Sequence, residues 1–81
     1  MQVRLSVRFK DSYLEAPPAI QKLIDKQLWL LVHNIRHPGL HAKKYNESAG
    51  IWQARISRDW RMYFSIQGDT YRMHDVMKHP K

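Results

Sequence analysis

The sequence predicts an α+β fold, with helices covering one face of a four- to five-stranded antiparallel sheet. Three observations carry this. Residues 2–9 alternate apolar and polar, residues 18–36 carry apolar side chains at helical spacing, and four further strand-like stretches separated by turn residues follow in 41–77. There is no repeat, linker or low-complexity stretch, so the elements run β-α-α-β-β-β-β as one layer of helices on one sheet.

The first strand places Val3, Leu5, Val7 and Phe9 on one side and Gln2, Arg4, Ser6 and Arg8 on the other. Ser12-Tyr13-Leu14-Glu15 has the spacing of a capping box and predicts the start of a short helix. Pro17-Pro18 ends it and supplies a favoured first residue for the next. Ile20, Leu23, Ile24, Leu28, Leu31 and Ile35 then form the stripe of a long amphipathic helix over about 18–36. His33, Arg36 and His37 suit its negative end, and Pro38-Gly39 closes it.

Residues 41–46 predict a strand, 46–50 a turn and 51–57 a strand with Trp52, Ala54 and Ile56 on one face. Arg58-Asp59 reverses the chain into residues 60–67, where Trp60, Met62, Phe64 and Ile66 alternate with Arg61, Tyr63, Ser65 and Gln67. Gly68-Asp69 turns it again into 70–77. Asp75 falls there on the side of Tyr71, Met73 and Met77, which predicts a bulge or an edge. Leu23, Leu31, Trp52, Trp60, Met62 and Phe64 are the expected core between the long helix and the sheet.

With 81 residues the chain has room for one domain, 1–81, which buries roughly 60 to 65% of the surface its unfolded form exposes. A domain of that size often leans on a disulfide, a metal or a partner. The absence of cysteine removes the first and any thiolate metal site. The longest apolar run, residues 28–32, is far too short to span a bilayer, and Arg4 and Arg8 interrupt any secretory leader, so a cytoplasmic protein with no membrane span is expected. Fourteen Lys and Arg against seven Asp and Glu give a formal charge of +7. Such a surface favours a nucleic acid or an acidic protein partner.

If Met62 and Phe64 face the helices, Arg61 and Tyr63 point to the opposite face, and Gln53 and Arg55 do so from the neighbouring strand. Lys43 and Lys44 precede them, and Lys78, His79 and Lys81 follow at the C-terminus. A cationic, helix-free sheet face with an aromatic and a histidine suits an RNA backbone. His33 and His37 have a spacing that can bind zinc, but no glutamate of a zincin motif lies between them, and no metal is expected. His74 is expected to be structural.

The order Arg36-His37-Pro38-Gly39-Leu40-His41, Lys43-Lys44-Tyr45, Gly50-Ile51-Trp52-Gln53-Ala54-Arg55-Ile56 and Trp60-Arg61-Met62-Tyr63-Phe64, closed by a Gly68-Asp69 turn, a strand and a basic tail, resembles the RelE/ParE superfamily of type II toxin-antitoxin toxins. The resemblance covers essentially the whole chain. It implies an antiparallel sheet flanked by helices, a cognate antitoxin and, in the RelE branch, metal-free and cofactor-free cleavage of mRNA on the ribosome, which inhibits translation. In that chemistry the 2′-hydroxyl attacks the adjacent phosphate and a 5′-oxygen leaves. Arg61 then matches the strand arginine at the scissile phosphate, Arg55 a position that is often a catalytic lysine, and His79 a C-terminal catalytic histidine. Lys43, Lys44, Gln53, Tyr63, Lys78 and Lys81 would bind the RNA. Gln53 stands where another lysine can occur and cannot act as a charged acid or base. The sequence stops at Lys81 without the tyrosine or helix that many active members carry. Two alternatives follow: a ParE-like inhibitor of DNA gyrase, and a toxin-fold binding protein with weakened catalysis.

Overall fold

The computed structural model describes residues 1–79. In chain order it contains β1 (Gln2–Leu5), α1 (Val7–Glu15), α2 (Pro18–His33), a short 3-10 turn (Pro38–Leu40), β2 (Lys43–Asn46), β3 (Ile51–Arg55), β4 (Trp60–Gln67) and β5 (Thr70–Lys78). The strands make one sheet in the order β1-β5-β4-β3-β2. The β2–β3, β3–β4 and β4–β5 pairs are antiparallel, whereas β1 runs parallel to β5. The strands after the helices are antiparallel, as expected, and the parallel β1 makes the sheet a mixed one. β1 and β5 meet only after both helices and three strands have intervened, so no hairpin dictates their relative direction.

The first strand is shorter than its alternation suggests. Ser6 leaves the sheet as an N-cap: its Oγ accepts from the Phe9 amide at 3.0 Å and donates to the His74 carbonyl at 2.9 Å. Satisfying an orphan helix amide outweighs two more residues of alternation, so Val7 and Phe9 belong to α1 and only Phe9 is buried. Ser12, expected as the cap, lies inside α1, where its hydroxyl donates to Asp75 Oδ1 at 2.7 Å. α1 thus runs beside β5 where β1 has stopped, covering an edge that would otherwise present unpaired amides.

α2 begins at a proline, as expected, and buries Ile24, Gln27 and Leu31. It ends at His33 rather than Arg36. Asn34 takes an extended backbone (φ −163°) and its Oδ1 accepts from the Arg36 amide at 3.0 Å, a local bond that competes with another helical turn.

Phe9, Ile24, Leu31, Leu40, Met62, Phe64, Met73 and Val76 are all but fully enclosed. Leu23, Trp52 and Trp60 pack at the margin of this core. Met62 and Phe64 are wholly buried while Arg61 and Tyr63 are only half-buried, so the expected register of β4 holds. In β5, Asp75 pairs with Tyr63 but Met73 pairs with Phe64, leaving His74 as the extra residue of a bulge. That bulge resets the alternation, so Met73 and Val76, three apart, both point into the core. Among the described residues, no helix is long and apolar enough to cross a membrane.

Candidate nucleic-acid interface

The antiparallel register places Lys43 beside Gln53, Gln53 beside Tyr63, and Arg55 beside Arg61. Since Ala54, Met62 and Phe64 point into the core, these alternate residues share the opposite, helix-free face. An open cavity of about 400 Å³ lies over them, lined by His41, Ala42, Lys43, Gln53, Arg55 and Arg61. Three cationic side chains and an imidazole therefore surround one basin. Two arginines directly across a strand pair repel each other, an arrangement a bound anion would relieve.

Arg61 is held before any ligand arrives. Its Nη1 donates to the carbonyls of Ser57 at 2.6 Å, Trp60 at 3.0 Å and Arg58 at 3.2 Å, so the turn between β3 and β4 grips one arm of the guanidinium. A planar fork gripped on one nitrogen can still present the remaining donors to a phosphate, which a lysine could not do.

Gln27, a buried polar residue of α2, supports both walls of the cavity. Its Nε2 donates to the Arg55 carbonyl at 2.6 Å and to the Gly39 carbonyl at 3.0 Å. The first bond fixes the end of β3; the second fixes the 3-10 turn that delivers His41. The same turn is pinned by buried Leu40 and by His37, whose Nδ1 accepts from the Gly39 amide at 3.0 Å. His41 itself has a left-handed backbone (φ 46°), a conformation histidine adopts more readily than most residues.

Tyr63 stands next along β4 and meets Tyr45 edge-on, ring centroids 5.0 Å apart. Burial pushes its phenol pKa up, with Tyr45 and Asp75 adding to the effect and Arg61 opposing it. The group stays protonated at working pH and acts as a hydrogen-bond donor or a stacking surface, not as a phenolate base.

Of the expected site residues, Lys43, Gln53, Arg55 and Arg61 meet at the cavity, with Tyr63 beside it. Lys44 does not join them: it pairs with Trp52 and its Nζ lies 5.8 Å over that ring, on the side of the sheet that Trp52 occupies. Lys78 pairs with Trp60 and borders a different cleft with Ser12 and Glu15. His79 is exposed beyond the end of β5, its amide donating to the Asp59 carbonyl. It shares that turn with Arg61 but does not line the cavity. Lys81 lies outside the described residues.

His41 and Gln27 are the residues that sequence reasoning missed. His41 follows Pro-Gly-Leu and carries no periodic signal; only the breaker pair before it hints at a turn that could aim a side chain. Gln27 is a polar position on an otherwise apolar stripe, and that interruption is the available signal. His33, by contrast, stacks on Trp29 with centroids 4.0 Å apart. Among the described residues, no three His, Cys, Asp or Glu side chains converge as a metal site would require.

No protein-family profile and no curated protein matches this sequence. The chain superposes on a YoeB/ParE toxin from Agrobacterium tumefaciens with a TM-score of 0.79 at 14% identity, covering 99% of this chain and 100% of the other. It matches a chain of an archaeal RelE-RelB complex from Pyrococcus horikoshii with a TM-score of 0.82 at 12% identity, over 99% and 96% of the two chains. A chain of a YoeB-YefM toxin-antitoxin complex from Staphylococcus aureus gives 0.78 at 15% identity, over 99% and 98%. The mixed sheet, the two helices before it and the full mutual coverage agree: the chain has the RelE/ParE toxin fold.

Proposed function

We propose that this protein is the toxin of a toxin-antitoxin pair and that it cleaves mRNA on the ribosome without a metal or other cofactor. The observation that supports this best is the cavity where Arg55, Arg61, Lys43 and His41 converge on the helix-free face. Cleavage by the adjacent 2′-hydroxyl needs a group that stabilises charge developing on the phosphate, and groups that move two protons. Arg61, already oriented by three carbonyls, meets the first need, and Arg55 assists across the strand pair. Histidine is the residue type that both accepts and donates protons near neutral pH. His41 lines the cavity and takes one proton-transfer role; His79, at the rim beyond Asp59, takes the other.

Two of the similar structures are toxin-antitoxin complexes, and the present surface suits such a partner. A groove of about 330 Å³ between α1 and α2 is lined by Leu5, Phe9, Tyr13, Leu14 and Leu28, with Lys10 and Asp25 as its two charged members. Leu14 and Trp29 are exposed on the helices. An acidic amphipathic segment would cover this apolar surface and offset the net charge.

The test is induced expression in bacteria with 5′-end mapping of transcripts. The nuclease reading expects cuts within translated messages, in frame, and none in messages lacking a start site. Intact messages together with inhibited gyrase would favour the ParE-like alternative, and neither effect would favour a binding protein without catalysis.

A further inference from the structure

The helix-free face continues well beyond the Arg61 cavity. At its far end Arg4 of β1 and Arg72 of β5 are register partners, both exposed. Their neighbours Val3 and Tyr71 turn into the core, so both guanidinium groups stand on the helix-free side. With Ser6 and His74 they border a cleft of about 180 Å³. Arg72 Nη1 donates to Gln67 Oε1 at 3.0 Å, a neutral partner that orients the group without cancelling its charge. His74, the bulge residue, is tethered on the same face with its Nε2 2.8 Å from Ser65 Oγ.

Like charges on adjacent strand positions are destabilising. This face carries two such pairs, Arg55 with Arg61 and Arg4 with Arg72. From the register and ordinary strand spacings their midpoints lie roughly 17 Å apart. Between them stands Tyr63, with Tyr45, Ile51 and Met77 forming a shallow aromatic and apolar depression suited to a nucleobase. The carboxylate on this path, Asp75, is the register partner of Tyr63, and its Oδ1 accepts from the Ser12 hydroxyl and the Val76 amide, which offsets part of its charge.

We propose that Arg4 and Arg72 form a second phosphate-binding subsite, so that one single strand of RNA runs across the sheet from the Arg55–Arg61 cavity, past Tyr63, to the β1–β5 end. This rests on the RNA reading above and adds a length requirement: a ligand too short to span both pairs gains nothing from Arg4 and Arg72.

The experiment measures binding of a fluorescent dinucleotide and of a single-stranded RNA of about ten nucleotides to the wild type, to the double variant Arg4→Ala/Arg72→Ala, and to Arg55→Ala. The double variant is expected to bind the longer RNA about tenfold more weakly, with a salt slope smaller by about 0.7 for each phosphate it no longer neutralises. Its dinucleotide binding should be unchanged, whereas Arg55→Ala should weaken both ligands. Without RNA the double variant should melt no lower than the wild type, because a repulsive pair has been removed. Wild-type affinity and salt slope for the longer RNA in the double variant would overturn the subsite while leaving the RNA reading intact. A lowered melting temperature in the free double variant would also overturn it, by assigning the arginines to the fold. If the wild type binds neither RNA, the RNA reading fails and the subsite with it.

Discussion

The two faces of the sheet divide labour within single strands. In β4, Met62 and Phe64 are sealed against the helices, while Arg61 and Tyr63, one residue away, look outward, Arg61 into the cavity and Tyr63 beside it. Because side chains alternate with a period of two, one strand can hold the core together and present a cationic surface at the same time. Substitutions at neighbouring positions should therefore fail in different ways: inward ones lose the fold, outward ones lose the chemistry.

The largest expected effect is on the inward side. Phe64→Ala should destabilise the protein by about 3 to 5 kcal/mol, read as a shift in chemical unfolding, which a domain of this size can barely absorb. If it melts like the wild type, the core is elsewhere and the division between the faces fails. Gln27→Ala should cost about 1 to 3 kcal/mol, because it strips the partner from two inward carbonyls. It sharpens the contrast by linking the two faces: activity should fall along with stability, and Gln27→Glu should not restore both, since an ionised carboxylate cannot donate to either carbonyl. An activity assay on folded Gln27→Ala at low temperature separates these effects.

On the outward side, Arg55→Ala should leave the unfolding midpoint nearly unchanged and slow cleavage by about 100-fold, the scale associated with losing one group that stabilises developing charge. His41→Ala should fold normally and slow cleavage by about 100-fold or more. If instead only His79→Ala has that effect, the proton-transfer roles belong to the rim alone. The smallest effect concerns pH. Tyr63 and Tyr71 both have raised pKa values, burial being the main cause. A folded-state pKa above the unfolded one means the unfolded chain loses these protons first. Stability from these groups is full below about pH 10 and declines as pH rises beyond it. Tyr63→Phe should make the alkaline decline shallower in a melt series, and an unchanged slope would remove Tyr63 from that account.

Much of this architecture is legible in the sequence because periodicity is a property of the chain itself. Met62 and Phe64 against Arg61 and Tyr63 announce β4, and the lapse at Asp75 announces the bulge. The misread features depend on competition or on distant partners. Ser12, with a glutamate three residues on, reads as the cap, whereas Ser6 reads as a strand residue until the His74 carbonyl is near enough to engage its hydroxyl. The parallel pairing of β1 leaves no mark on β1 itself. Lys44 looks like Lys43 in sequence, yet alternation sends it over Trp52 and away from the cavity. His41 enters the site because Gln27, far back on α2, together with buried Leu40 holds the turn that carries it.

The most direct measurement of the central claim is cleavage of a ribosome-bound message by the wild type and by Arg61→Lys, with both melting temperatures recorded. Lysine keeps the charge but loses the fork held by the Ser57, Arg58 and Trp60 carbonyls. The variant is expected to stay folded, to retain much of its RNA affinity and to cleave about 100-fold more slowly or worse. Cleavage at the wild-type rate by Arg61→Lys, or an intact message with the wild type itself, would contradict the role given to Arg61 and the nuclease reading built on it.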